Sequence, residues 1–129
     1  MFISNLNLQE RKAFAQLAWH LVHIDGVLSE SETEVLDTIE RETGFRGEAQ
    51  KDDYIKLADV FGGREAKISV LLELLSLAHV DGNYDASEQQ MIQNLSVHFK
   101  IENEELDTLH SWVIRQTMLL QEAQSFMEE

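Results

Sequence analysis

The chain has 129 residues, of which 43% are hydrophobic, so it is long enough for one domain with a single core and too apolar to be a disordered segment. Its 24 acids against 10 bases leave a net charge of −14, which repels nucleic acid and denies it the basic surface that nucleic-acid binders need. There is no cysteine, hence no disulfide and no thiolate metal site, as expected of a reducing compartment such as the cytoplasm, and no apolar run approaches the roughly 18 residues of a membrane span.

The first residues, Met1-Phe2-Ile3-Ser4-Asn5, lack the basic and long apolar regions of a signal peptide. Asn7 followed by Glu10 has capping-box spacing, in which each side chain bonds the other residue's backbone N–H. It predicts a first helix running to about Asp25 on Phe14, Leu17, Ala18, Leu21 and Ile24. Ser29 with Glu32 repeats the spacing and opens a second helix, with Val35, Leu36 and Ile39 inside and Gly44 at its end. Gly47 and Gly62-Gly63 bracket a shorter third helix carrying Tyr54, Ile55, Leu57, Ala58 and Phe61, and the glycine pair reads as a hinge. A fourth helix runs from Arg64 through Ile68, Leu71, Leu72, Leu75 and Ala78 to Asp81. It is apolar around much of its circumference, which predicts a central position. Asp85 with Glu88 gives a third capping box, for a helix carrying Met91, Ile92, Leu95 and Phe99. Asn103 is the expected cap of a long last helix with Leu106, Leu109, Trp112, Val113, Leu119 and Leu120. No strand-like alternation appears. The expectation is an all-α bundle of about six to seven helices in one domain over residues 1–129.

The chain repeats itself. His23-Ile24-Asp25-Gly26-Val27-Leu28-Ser29-Glu30-Ser31-Glu32 recurs as His79-Val80-Asp81-Gly82-Asn83-Tyr84-Asp85-Ala86-Ser87-Glu88, at a constant offset (81 − 25 = 88 − 32 = 56). Two related three-helix halves follow, at about residues 8–61 and 64–120. Neither half can bury its own apolar face, so the halves are expected to pack together about a pseudo-two-fold axis.

Each Asp of the repeat ends an apolar stripe: Asp25 follows Leu21 by four residues and Asp81 follows Leu77 by four. Each therefore stands at the negative end of a helix dipole, where an anion is disfavoured and asks for a compensating partner. The spacing from Asp to Glu32 or Glu88 is also that of the second half of a calcium-binding EF-hand loop, in which a Gly makes the turn and a bidentate Glu closes the site. The first half of such a loop is missing, because its ligand slots hold Leu21 and His23, or Leu77 and His79. An ordinary EF-hand is thereby not expected, and a hard-cation site shared between the two half-loops stays open. Against it stands a purely structural account: Glu32 and Glu88 occupy the capping-box position, and Asp25 and Asp81 suit turns closed on the backbone. His23 and His79 suit helix C-termini, where a protonated ring favours the dipole. Catalytic signals are missing: there is no nucleophile with a base at recognisable spacing and no Gly-rich phosphate loop, so no enzyme is expected.

The doubled Asp-Gly unit on an acidic, all-helical chain of this size resembles the TerB-like tellurite-resistance family, and is similar to the N-terminal segment of DjlA-type membrane co-chaperones. The resemblance covers about residues 8–120. It implies an all-α bundle of two related halves, with a divalent cation held by acidic residues in the cleft between them. Carried over by position, the metal ligands are Asp25, Glu32, Asp81 and Glu88, and a cation of the calcium or magnesium class suits them. The resemblance further implies a stress-response role linked to tellurite, a cytoplasmic and membrane-peripheral place, and protein partners at the inner membrane face. The chain lacks the J-domain His-Pro-Asp motif and a membrane segment, so it reads as a stand-alone module. The alternative is a metal-free acidic module that docks a basic partner.

Overall fold

A computed structural model describes residues 2–26, 28–50, 53–80 and 84–128, and among them it is helical with no strand. A short 3-10 turn, Ile3–Asn5, leads into six helices: α1 (Leu8–His23), α2 (Glu30–Thr43), α3 (Ile55–Ala58), α4 (Arg64–Ala78), α5 (Ala86–His98) and α6 (Asn103–Met127). The expected all-α bundle is the observed fold.

The three expected capping boxes form. Asn7 Oδ1 accepts the Glu10 N–H at 2.9 Å and Glu10 returns the bond at 2.9 Å. Ser29 and Glu32 do the same at 3.1 Å in both directions. Asp85 and Glu88 repeat it at 2.9 and 3.3 Å. α1 stops at His23 because Gly26 turns left-handed at φ 79°, and α2 stops at Gly44 at φ 84°. The last helix starts differently from expectation. Glu102 takes the cap position without a side-chain bond, and Asn103 is already the first helical residue.

α4 is central, as its all-round apolarity predicts: Ala66, Val70, Leu71, Leu72, Leu74, Leu75, Leu77 and Ala78 are all buried. It packs against α1, α5, α6 and the N-terminal turn, while α1 packs against α2, α3, α4 and α5. The equivalent first helices of the two halves thus meet at the middle. The third helices differ most. In the second half α6 spans 25 residues, whereas in the first half α3 is one turn of 4 residues.

The segment before α3 is fastened to α1. The buried Gln16 side chain ties down the backbone of Glu48, donating to its carbonyl at 2.6 Å and accepting its N–H at 3.0 Å. Next to it Gly47 lies against α1: a Cβ there would meet the Trp19 side chain and come within 2.8 Å of the Ala15 carbonyl. These contacts hold residues 47 and 48 against α1. The pair Gly62-Gly63 serves as the extended entry to α4, with Gly63 at its cap.

α5 ends in a Schellman motif. Ile101 N–H reaches the Ser96 carbonyl at 2.9 Å and Lys100 N–H reaches Val97 at 3.0 Å, with Lys100 left-handed at φ 60°. Two substitutions of opposite sign follow from the backbone. Gly47→Ala is expected to lower stability by about 1–3 kcal/mol through overpacking against α1. Lys100→Gly is expected to raise it by about 1 kcal/mol by relieving the left-handed strain. Urea unfolding midpoints check both, and a neutral Gly47→Ala variant would mean the contact with Trp19 is loose.

Candidate functional site

The two half-loops leave α1 and α4 and lead into α2 and α5. In the first, His23 stacks on Trp19 with ring centroids 4.0 Å apart, and its Nδ1 lies 2.8 Å from the Trp19 carbonyl. The turn closes with Gly26 N–H on the His23 carbonyl at 3.0 Å. Ile24 lines a shallow cavity with Ala86, Ser87 and Met91, which sets the first loop against the start of α5.

That placement assembles the site. Carboxylate oxygens of Asp25, Asp85 and Glu88 lie within 4.8 Å of one another. The three form a gradient of exposure, from exposed Asp25 through half-buried Asp85 to Glu88, which is only 3% exposed. Asp25 comes from one half of the chain, and Asp85 and Glu88 from the other. Of the four residues singled out by the resemblance, Asp25 and Glu88 are brought together. Glu32 stands outside this group, buried at 5% exposure with its Oε1 on the Ser29 N–H. Asp81 and Gly82 lie outside the described residues. Asp85 joins the group although its spacing marks it first as a helix cap. The signal that identifies it is its slot in the half-loop, where an oxygen ligand precedes the closing Glu by three residues.

The three carboxylates gather at the N-terminus of α5, whose dipole, equivalent to about +0.5 charge, favours an anion there. Several of the bases concentrated between residues 41 and 67 are held elsewhere. Arg46 pairs with Asp37 at 2.6 Å and Glu40 at 3.1 Å, Arg64 pairs with Glu105, and Lys67 lies over the Phe99 ring.

The second half-loop departs from the first at its histidine. His79 Nε2 is 2.7 Å from His110 Nε2 of α6, with the rings stacked at 4.8 Å, so one imidazole donates its Nε2–H to the other. Tyr84 packs on both rings, at 4.7 and 5.2 Å. His110 carries no motif in the sequence; only the packing of α6 across the loop finds it. In α1, burial and then the nearby His23 hold His20 below the ordinary histidine value, and its Nε2 is buried with no hydrogen-bond partner.

Tyr84 reports on this site. Burial, and secondarily the Glu88 charge, push its phenol from 10.0 up to about 12. The fold favours the neutral phenol, so this contribution to stability is complete below the ordinary value and is lost as pH rises from about 10 through about 12. In a Tyr54→Phe background, phenolate absorbance is expected to show Tyr84 ionising near the top of that range. Glu88→Gln, which keeps the capping box, is expected to lower the midpoint while leaving it raised, because burial is the larger cause. A midpoint indifferent to Glu88→Gln would remove the electrostatic link between the two. No family model, curated protein or solved structure matches this chain.

Proposed function

We propose that this chain is a cytoplasmic, non-enzymatic stress-response module of the tellurite-resistance type, which binds a hard divalent cation where its two half-loops meet. The observation that carries the reading is the group of Asp25, Asp85 and Glu88, drawn from both halves with ligand atoms within 4.8 Å. Three oxygen donors suit a cation of the calcium or magnesium class, since the soft thiolate ligands that favour other metals are absent from the sequence. Calcium keeps its oxygens at about 2.3–2.6 Å, so ligands around one ion stand up to about 5 Å apart, a span compatible with the 4.8 Å of this group. Magnesium requires about 2.0–2.1 Å and would draw the group inward while keeping several waters. Asp25 at the surface would meet the ion first and Glu88 would hold it from beneath. The repeat brings Asp81 and Glu32 into the proposal by sequence equivalence alone.

The proposed role follows from coupling. Without a cation the three carboxylates repel one another across the boundary between the halves, and a bound ion would convert that repulsion into attraction and draw the halves together. By mass action an ion at a hundredfold excess over its dissociation constant stabilises the fold by about 2.7 kcal/mol. The second reading, a metal-free module docking a basic partner, is favoured by the net charge of −14 and the exposed Asp25.

Calorimetric titration of chelator-treated protein with calcium, magnesium, manganese and zinc separates the two. The expected result is a saturable isotherm with calcium or magnesium and a rise in melting temperature. Asp25→Asn with Asp85→Asn is expected to abolish both responses. The variant should remain folded, because Asn caps a helix about as well as Asp, and removal of two charges should leave it at least as stable as the metal-free parent. If the parent's melting temperature ignores every divalent ion at millimolar concentration, the cation reading fails and the docking reading stands.

A further inference from the structure

Among the described helices α6 is the least buried. Only Val113 is fully buried along its 25 residues, and Leu119 is 64% exposed, Phe126 78% and Met127 80%. Exposed Trp112, Leu119 and Phe126 alternate with half-buried Gln116 and Ala123 in steps of four and three, the spacing of coiled-coil core positions. Trp112 already rests one face on Phe2, at 5.8 Å between ring centroids, and turns its other side outward. Arg115 and Glu122 stand seven residues apart, each just before one of these positions, on the same flank of the stripe.

We propose that this face of α6 is the interface with a second copy of this chain, the two helices running antiparallel with Arg115 of each opposite Glu122 of the other. Charge selects the occupant. Between Leu109 and Met127 the only formal charges are Arg115 and Glu122, in a chain whose net charge is −14. Two such chains repel wherever their acidic surfaces approach, and this stretch is a place where they can touch without that cost. Being neutral overall, it has no excess of positive charge to attract an anionic membrane or an acidic partner. Charge also selects the direction. A parallel pair would set Arg115 level with Arg115 and hold both acidic bodies side by side. The antiparallel pair meets opposite charges twice and puts the bodies at opposite ends. In that register Trp112 faces Ala123 of the second copy and Leu119 faces Gln116, so large side chains oppose smaller or flexible ones, as close packing requires.

Sedimentation equilibrium of the full chain over micromolar to millimolar concentrations tests this, with circular dichroism as the check that each variant is folded. The parent is expected to form a reversible dimer, and Leu119→Asp to abolish it. Arg115→Glu turns two attractions into repulsions and is expected to raise the dissociation constant about tenfold or more. Adding Glu122→Arg to Arg115→Glu restores both pairs with their signs exchanged, and dimerisation is expected to return. A parent that is monomeric at millimolar concentration overturns the proposal. So does a dimer indifferent to Leu119→Asp, or one weakened by Arg115→Glu that Glu122→Arg fails to rescue. A monomeric parent that binds phosphatidylcholine vesicles in a Leu119-dependent way would assign this face to lipid instead.

Discussion

The packing of α1 against α4 is the contact on which the rest depends. Both helices carry apolar residues around most of their circumference, and Leu17, Leu21, Val70, Leu71 and Leu74 are at most 1% exposed. Each fully buried Leu or Val contributes about 1.5–3 kcal/mol relative to exposure. These helices are the equivalent members of the two halves, and each runs into a half-loop. Pairing them in the core also sets the first loop against the start of α5. The closeness of Asp25 to Asp85 and Glu88 is therefore a consequence of burying leucines.

The carboxylates at that meeting point act in two ways. Glu88 completes the cap of α5, a local interaction worth about 1 kcal/mol that any sequence with this spacing makes. It also stands beside Asp25, which comes from 63 residues earlier in the chain (88 − 25 = 63). The capping account does not exclude the cation account, since a carboxylate oxygen that accepts a backbone N–H keeps further acceptor capacity. The cap holds Asp85 and Glu88 in place, and would present them as a pre-oriented pair of ligands to the cation we propose.

The halves have diverged around this shared frame. His23 rests on Trp19, while the equivalent His79 meets His110 of α6. The third element of the first half is a single turn, and Gln16 and Gly47 bind the segment before it to α1. That of the second half is a long helix with an outward apolar face. We place self-association on that face.

Much of this was legible in the sequence because it is local. Capping boxes at Asn7, Ser29 and Asp85 depend on residues three apart, and the central place of α4 on its own apolar pattern. The repeat singled out Asp25, Glu32, Asp81 and Glu88 alike; the structure brings Asp25 and Glu88 together and leaves Glu32 outside the group, while Asp81 lies outside the described residues. What tertiary structure alone decided is nonlocal. Joining Asp85 to Asp25, and setting His110 against His79, depends on how whole helices cross. The segment before α3 is held by bonds from Gln16 to a backbone 32 residues away, and the left-handed Lys100 rests on a Schellman closure with no glycine to announce it. Sequence spacing registers interactions within a turn or two of helix, whereas these depend on which surfaces the buried core brings together.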